Sequence, residues 1–271
     1  MQGEQRSDRT ATTSLRERLR GAVALLTLLG GGWSGLGAQE GAPLPFAVGE
    51  QLRYELSAGR LGRVGHGTMS VDGHEDVRGH RALLLRFDVR GRVGPVKVES
   101  RTSSWVTPAP FASLRFSKSE RQFLRGHEVR VEIYPSHQRW LSEVEAGDGG
   151  ITPTDAPLDE LSFIYFLRTL PLEADAHYSL SRHFQAERNP VEVAVLGRET
   201  ITTPAGQFAT VIVEMRVKDA RHYQKEGVLR LNLTDDAAHI PVRIETSMPV
   251  VGKTVLTLAA RRAGAAEVVH R

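Results

Sequence analysis

One short stretch of this chain has the apolar spacing of an α-helix, whereas most of the remaining sequence alternates with the period of β-strands. On one helical face of residues 159–172, apolar side chains fall at positions i, i+3, i+4 and i+7, namely Phe163, Phe166, Leu167 and Leu170. A second apolar stripe consists of Leu158, Leu161 and Tyr165. A helix with so little polar circumference is a buried one, so the pattern predicts one buried helix near residues 158–169.

Both ends of the predicted helix carry boundary signals. Asp155 and Asp159 are each suited to cap its N-terminus, because a carboxylate there accepts hydrogen bonds from free backbone N–H groups, and the sequence does not choose between them. Pro171 is expected to end the helix, because the residue before a proline avoids the α region. A helix of this length, at about 1.5 Å per residue, reaches about as far as one strand and can cover one end of a curved sheet.

Outside the helix, apolar residues alternate with polar ones, as expected for half-buried strands. The clearest example is residues 128–133, in which Val129, Val131 and Ile133 alternate with charged residues. Six further strands are predicted in the second half, at residues 178–185, 191–198, 208–218, 227–234, 242–246 and 254–259. No helices alternate with these strands, which favours an antiparallel meander over βαβ units.

Roughly a dozen strands in all cannot form a flat open sheet, because a sheet of that size curls, splits or closes. The prediction is therefore a mainly β fold, either a large curved antiparallel sheet or an incomplete β-barrel. The single helix is expected to lie against the concave face of that sheet.

The N-terminal region has the pattern of an export signal. Three arginines within residues 16–20 precede an apolar run at residues 21–30, and small residues between positions 35 and 38 offer a cleavage site. The run is too short for a membrane-spanning helix, which needs about 20 residues, so no span is expected after cleavage. The predicted organisation is a signal peptide and leader at residues 1–38, a single β-rich domain at residues 44–260 and a frayed tail at residues 261–271.

Charge and cysteine content exclude several classes of function. The chain carries 35 basic and 32 acidic residues, and five of the former and three of the latter lie within residues 1–38. The remainder is almost neutral, whereas nucleic-acid binding needs a concentrated basic surface. Cysteine is absent, which excludes disulfides, thiolate nucleophiles and cysteine-based metal sites.

Catalytic and metal-binding motifs are missing from the sequence. The ten histidines include no pair at i, i+2 or i, i+4 spacing, and no Gly-x-Ser-x-Gly or Ser-x-x-Lys pattern occurs. Asp159-Glu160 and Asp235-Asp236 are paired carboxylates, but a helix N-terminus and a turn, respectively, account for them. We therefore expect no enzymatic activity, no metal and no cofactor.

Five sequence clusters occur in order along the chain. They are residues 45–54 beginning Pro45-Phe46, the glycines Gly62 and Gly65, the helical stretch 159–172, Thr203-Pro204-Ala205-Gly206 with Phe208, and Asp235-Asp236 with Ile240-Pro241-Val242. In this order and spacing they resemble the bacterial domain of unknown function 3108 (DUF3108) family, from Pro45 to Ala259. The sequence departs from the family near Leu231 and Leu233, where members often carry a tryptophan.

The resemblance implies an exported, β-rich protein of the bacterial envelope with no established activity. It also implies an architecture similar to the curved-sheet lipoprotein carriers and lipid-binding proteins of the periplasm. Because one fold supports many functions, the resemblance leaves the ligand and the partners of the protein open.

The candidate ligand-binding residues lie on the predicted helix and are Phe163, Tyr165, Phe166 and Arg168. A buried guanidinium needs a partner, because an isolated buried charge is costly. Arg168 is therefore expected either to pair with an acidic strand residue or to contact an anion, such as a lipid headgroup, at the mouth of a cavity.

Two functions are consistent with these observations. In the first, the protein is exported to the periplasm or another part of the bacterial cell envelope and binds an apolar or lipid-like ligand in the concave face of the sheet, with the helix as a plug or lid. In the second, it is a non-enzymatic envelope interaction or scaffold protein with a filled core, whose sheet edge docks a partner strand. Open space between helix and sheet favours the first, and a packed core favours the second.

Overall fold

The computed structural model describes residues 43–94, 96–122, 125–219, 225–248 and 252–265. The predicted signal peptide and leader, residues 1–38, lie outside the described residues. Among the residues that are described, no helix has the length and apolar character needed to cross a membrane.

Within these residues, fourteen strands form one antiparallel sheet. The strands before the helix are β1 (Gln51–Ala58), β2 (Arg63–Val77), β3 (His80–Val93), β4 (Val96–Pro108), β5 (Phe111–Gln122), β6 (Arg125–Tyr134), β7 (Arg139–Ser142) and β8 (Gly149–Ile151). The strands after it are β9 (His177–Leu180), β10 (Val191–Thr203), β11 (Gly206–Asp219), β12 (Lys225–Thr234), β13 (Pro241–Met248) and β14 (Gly252–Arg262). The helix is α1 (Glu160–Leu167), and short 3-10 turns cover Gly59–Leu61, Pro135–His137 and Ala186–Arg188. This arrangement confirms the predicted mainly β fold.

The first and last strands of the domain are neighbours in the middle of the sheet. β1 pairs with β2 on one side and with β14 on the other, and the two halves of the chain run outward from this centre to the edge strands β8 and β9. α1 lies in the connection between those two edges. The chain therefore forms two meanders that start side by side and are linked through the helix.

The segment in front of α1 joins the two meanders by backbone hydrogen bonds. The Ser113 N–H, at the start of β5, donates to the Pro157 carbonyl at 2.8 Å. Leu158 then donates to the Arg182 carbonyl at 2.6 Å and accepts from the Phe184 N–H at 3.0 Å. Because one short segment reaches both β5 and the chain after β9, the sheet must curve around α1. These bonds do not extend into a continuous ladder, so the curved sheet stays open, as an incomplete barrel.

Two predicted boundaries differ from the structure because of pairing between distant segments. The strand predicted at residues 178–185 ends at Leu180, because the chain beyond it bonds to Leu158 instead. β14 continues to Arg262, into the segment predicted to fray, because its last residue pairs with Gln51 of β1.

The N-terminus of α1 is fixed by a reciprocal capping box. The Asp159 carboxylate accepts from the N–H groups of Leu161 and Ser162, both at 2.9 Å. The Ser162 hydroxyl accepts in turn from the Asp159 N–H at 2.8 Å. This arrangement satisfies backbone donors that a helix leaves unpaired, and it identifies Asp159, not Asp155, as the cap.

The C-terminus of α1 comes before the proline that was expected to end it. The Thr169 N–H and hydroxyl both donate to the Phe166 carbonyl, at 2.9 Å and 2.8 Å. These bonds tighten the last turn, so the helix ends at Leu167 rather than directly before Pro171.

α1 is enclosed by the sheet. Its residues from Leu161 to Leu167 are all buried. They form one hydrophobic core with inward-facing residues of both meanders, such as Leu52 of β1 and Val213 of β11. The helix and the concave face of the sheet therefore share one packed core.

Candidate functional site

Directly after α1, Arg168 forms a buried ion pair with Glu50, the residue in front of β1. Its Nη1 and Nη2 donate to the two Glu50 carboxylate oxygens at 2.6 Å and 2.9 Å, and only 1% of Arg168 is exposed. Nε donates to the Ala238 carbonyl, and Nη2 also donates to the Pro45 carbonyl, each at 3.2 Å. All three guanidinium nitrogens therefore have acceptors, which stabilises a charge that would be costly alone. Of the two expectations for Arg168, the structure shows the ion pair.

Two aromatic rings enclose this ion pair. The guanidinium carbon of Arg168 lies 5.1 Å from the ring centroid of Phe46 and 5.5 Å from that of Tyr165, within the range of cation–π attraction. The two rings meet edge to face, with centroids 4.8 Å apart. The Tyr165 hydroxyl is buried without a hydrogen-bond partner among the described residues, and burial raises its pKa. Tyr165 and Arg168, both predicted ligand residues, therefore lie together inside the protein.

The other two predicted ligand residues face different parts of the core. Phe163 stacks on His183, with ring centroids 6.1 Å apart. Phe166 stacks on Phe111 at 6.3 Å, and the guanidinium carbon of Arg182 lies 4.3 Å from the Phe166 ring centroid. Burial lowers the pKa of Arg182 to about 10. Both phenylalanines are thus enclosed by protein groups.

A groove of about 630 Å³ lies beside the ion pair, where β1 begins and β14 ends. We call it the mouth groove, and its lining consists of Leu44, Pro45, Phe46, Ala47, Glu50, Leu52, Ala237, Ala238, Ile240, Arg261, Arg262, Ala263 and Gly264. Pro45, Glu50 and Ala238 belong both to this lining and to the hydrogen-bond network of Arg168. The buried ion pair therefore holds two separate walls of the groove in position.

One wall of the mouth groove forms where the two ends of the domain meet. The Ala265 N–H donates to the Val48 carbonyl at 2.9 Å. Gly264 lies so close to Ala47 that a Cβ on this glycine would be 2.3 Å from the Ala47 carbonyl oxygen. A residue larger than glycine would push the two segments apart and open this side of the groove.

The opposite wall is a turn between β12 and β13, as predicted for the Asp235-Asp236 pair. An Asp236 carboxylate oxygen accepts from the N–H groups of Ala238 at 3.0 Å and His239 at 3.2 Å. Asp235 instead pairs with Arg198 at 3.0 Å. The two carboxylates therefore have separate partners, and Asp236 shapes the turn that lines the groove.

The Asp159-Glu160 pair at the start of α1 is divided in the same way. Burial raises the pKa of Asp159, although hydrogen bonds from the Ser104 hydroxyl and from capping N–H groups oppose that rise. Burial alone would also raise the pKa of Glu160, but ion pairs with Lys118 at 3.1 Å and Arg188 at 3.0 Å outweigh it and lower the pKa to about 2. The described part of the chain contains no cluster of His, Asp and Glu side chains suited to a metal ion.

Arg261 is a groove residue that the sequence pattern did not predict. The alternation of buried Leu256 and Leu258 along β14 would direct Ala260 inward. A bulge between β1 and β14 shifts the register, so that Leu52 faces Arg261. Residues opposite each other in an antiparallel pair share a face, and Arg261 therefore lies on the same face as the buried Leu52.

The sequence pattern also does not predict Glu50 as the partner of Arg168, although Glu50 lies in the first of the five sequence clusters, residues 45–54. It is 118 residues from Arg168, and no local periodicity connects the two. The useful signal was indirect: a buried guanidinium requires an acidic partner somewhere in the fold.

Comparison with known proteins gives a family and distant structural likenesses. A model of the DUF3108 family, described as a protein of unknown function, matches residues 53–259. None of the curated proteins matches the chain.

Three solved structures resemble the chain at low identity. The first is a β-barrel-like protein of the domain of unknown function 1849 from Brucella abortus, with 10% identity and a TM-score of 0.49 over 81% of this chain and 99% of that one. The second is a candidate exported protein with a YmcC-like fold from Bacteroides fragilis, with 11% identity and a TM-score of 0.33 over 81% and 98%. The third is a candidate lipoprotein from Parabacteroides distasonis, with 11% identity and a TM-score of 0.29 over 81% and 98%. None of these likenesses extends to a function.

Proposed function

Because this chain belongs to the DUF3108 family of proteins of unknown function, we propose its role from its own geometry: an exported, non-enzymatic protein of the bacterial envelope that binds an apolar or lipid-like molecule. The export pattern of residues 16–38 supports the location. The observation that carries the binding role is the mouth groove. Its volume of about 630 Å³ lies within the range of small-molecule sites, which are mostly apolar with a few polar groups.

We assign the ligand to the mouth groove rather than to the space between helix and sheet. The four helix residues first considered as ligand contacts, Phe163, Tyr165, Phe166 and Arg168, are at most 5% exposed. None of them lines the groove. In this proposal α1 is a packing element, and Arg168 supports the groove through Glu50 without touching the ligand.

The binding role is tested by extraction and by blocking the groove. The full chain, exported and purified from the periplasm, is extracted with organic solvent for mass spectrometry and titrated with a fluorescent fatty acid. Ala237→Trp places a large ring in the groove, and we expect it to weaken binding at least about tenfold. Ala146→Trp, in the exposed turn between β7 and β8, is the matched control and should bind as the unmodified chain does. No recovered lipid and no probe binding would overturn the proposal.

The second candidate function is an interaction protein that docks a strand on its sheet edge. The observation that favours it is the edge strand β8, where Ile151 is 73% exposed, together with Leu141 of the adjacent strand β7, which is 42% exposed. An edge strand offers unpaired backbone groups to a partner strand. A photo-crosslinker at position 151 should then capture a single envelope partner, whereas one at Leu196 on β10 should not. Equal labelling from both positions would count against edge docking.

A further inference from the structure

The acidic and the basic side chains of the mouth groove differ in whether they already have a partner. Glu50 is the single carboxylate among its lining residues, and both Glu50 oxygens already accept from Arg168. Asp235 and Asp236, in the neighbouring turn, are engaged with Arg198 and with backbone N–H groups. The groove therefore has no free carboxylate for a cationic ligand among the residues that the structure describes.

The basic residues of the groove, in contrast, are available. Arg261 and Arg262 are exposed, and neither has a carboxylate within ion-pair distance among the described residues. Arg261 has its guanidinium carbon 5.7 Å from the Phe208 ring centroid, and within the described ranges its N–H groups have no hydrogen-bond acceptor. Arg262 donates its Nε–H to the Gly49 carbonyl at 3.2 Å, and its terminal nitrogens have no hydrogen-bond acceptor in the part of the chain that the structure describes.

Arg261 is the better placed of the two for a ligand in the groove. The bulge in the β1–β14 pairing aligns it with Leu52, on the inner face of the sheet. Arg262 is opposite Gln51, on the other face. A guanidinium offers carboxylates and phosphates two parallel hydrogen bonds, and Arg261 presents that group beside an apolar wall.

That wall is composed of side chains from both ends of the domain and from the β12–β13 turn. Its larger apolar members are Leu44, Pro45, Phe46, Leu52 and Ile240. Hydrocarbon gains free energy on leaving water in proportion to the area it buries. One anionic contact next to a largely apolar lining matches a molecule with one charged head and one hydrocarbon chain.

We infer that the ligand of the mouth groove is a single-chain amphiphile whose head is a carboxylate or a phosphate monoester, bound through Arg261. This inference rests on the binding function proposed above and names the ligand class of the same site. The hydrocarbon chain lies along the apolar wall, and the head group accepts hydrogen bonds from the guanidinium. Arg262, which also lines the groove, adds positive charge at its rim.

The test compares probes that share one acyl chain and differ only in the head. They are a fatty acid, a lysophosphatidic acid and an uncharged monoacylglycerol, titrated into the full-length protein, with inorganic phosphate as a competitor. We expect each anionic probe to bind about ten to a hundred times more tightly than the neutral one. The tighter of the two anionic probes identifies the head group, and phosphate alone should not displace either.

Arg261→Gln should remove most of the anionic preference, measured as the ratio of the affinities for the anionic and neutral probes. Arg261→Lys keeps the charge without the planar fork and should restore part of the preference. Arg53→Gln is the matched control, because Arg53 is exposed and is the neighbour of Leu52 on the opposite face of β1. This variant should retain the full preference.

Each of the other possible results would overturn one named part of this proposal. Equal binding of anionic and neutral probes by the unmodified protein overturns the head-group inference and leaves the binding function standing. An anionic preference that survives in Arg261→Gln overturns the assignment to Arg261. Displacement of the probes by inorganic phosphate alone overturns the amphiphile class. No binding of any probe overturns the binding function and the inference together.

Discussion

At the start of α1 a buried carboxylate, Asp159, is held by hydroxyl and backbone N–H groups, and no cation among the described residues forms an ion pair with it. Directly after the helix a buried guanidinium, Arg168, meets the carboxylate of Glu50. Both side chains are at most 1% exposed. The same helix thus accommodates two buried charges, one with neutral dipoles and one with an opposite charge.

The difference shows what each end contributes to the fold. The bonds at Asp159 satisfy the first turn of the helix and connect it to a single strand, β4, through Ser104. The bonds at Arg168 reach Pro45 and Glu50 in one segment and Ala238 in another, distant one, and all three residues line the mouth groove. Removing a partner should therefore be more damaging at Arg168 than at Asp159.

The largest effect is expected from Glu50→Gln. It leaves the Arg168 guanidinium buried without its counter-charge, which costs about 3–5 kcal/mol of unfolding free energy. Urea unfolding followed by circular dichroism measures the loss. The double variant Glu50→Leu with Arg168→Met removes both charges and should recover most of the stability. A loss below about 1 kcal/mol in the single variant would show that water reaches Arg168 in solution.

Asp159→Ala is expected to cost less, about 2 kcal/mol, because it removes the helix cap and leaves the Ser104 hydroxyl without its acceptor. Asp159→Asn keeps one oxygen acceptor and should retain most of the stability near neutral pH. The same unfolding experiment compares the two variants. If Asp159→Ala were as damaging as Glu50→Gln, the contrast between the two ends of the helix would be wrong.

Acidification should separate Asp159 from its neighbour Glu160. The pKa of Asp159 is raised in the folded protein, so this group adds stability as pH falls from its folded pKa to its unfolded pKa. The pKa of Glu160 is lowered to about 2 in the folded protein. Its contribution to stability is therefore present above its unfolded pKa and is lost as the pH falls from the unfolded pKa to the folded one.

The check is a series of unfolding free energies from about pH 7 to about pH 3. Relative to the unmodified protein, Asp159→Asn should lose stability as the pH falls, and Glu160→Gln should recover it. Parallel curves for the two variants would mean that the pKa values of these carboxyl groups are not shifted in opposite directions.

The smallest effect is expected from Tyr165→Phe, beside the Arg168 ion pair. The Tyr165 hydroxyl is buried and has no hydrogen-bond partner among the described residues, so its removal should leave stability unchanged or raise it by up to about 1 kcal/mol. Tyr54→Phe is the matched control, because the Tyr54 hydroxyl donates to the Pro241 carbonyl at 2.7 Å, and its loss should cost about 1 kcal/mol. A similar cost for Tyr165→Phe would indicate that a buried water serves that hydroxyl in solution.

Features that depend on local periodicity could be predicted from the sequence. The alternation in residues 128–133 and the helical spacing from Phe163 to Leu170 arise from how neighbouring side chains share a face, and both elements are present. Asp159 was one of two possible caps, and the choice required the reciprocal bond of Ser162. The end of α1 was misplaced because a threonine, rather than a proline, closes the last turn.

Features that depend on distant pairing could not be predicted in this way. The chain after β9 leaves its strand because it forms backbone hydrogen bonds with Leu158. No sequence pattern connects these two segments. The inward position of Arg261 results from one inserted residue in the β1–β14 register, which reverses the face expected from alternation. The mouth groove therefore emerges only once the first and last strands are aligned.

The central pairing of β1 with β14 also has a consequence for biosynthesis. On the β14 side, Gln51 pairs with Arg262, so a growing chain cannot complete the middle of its sheet until nearly all of it has been made. Contacts across such a sequence distance form late and slowly. A nascent polypeptide with this topology therefore stays incompletely folded until its last strand has been made.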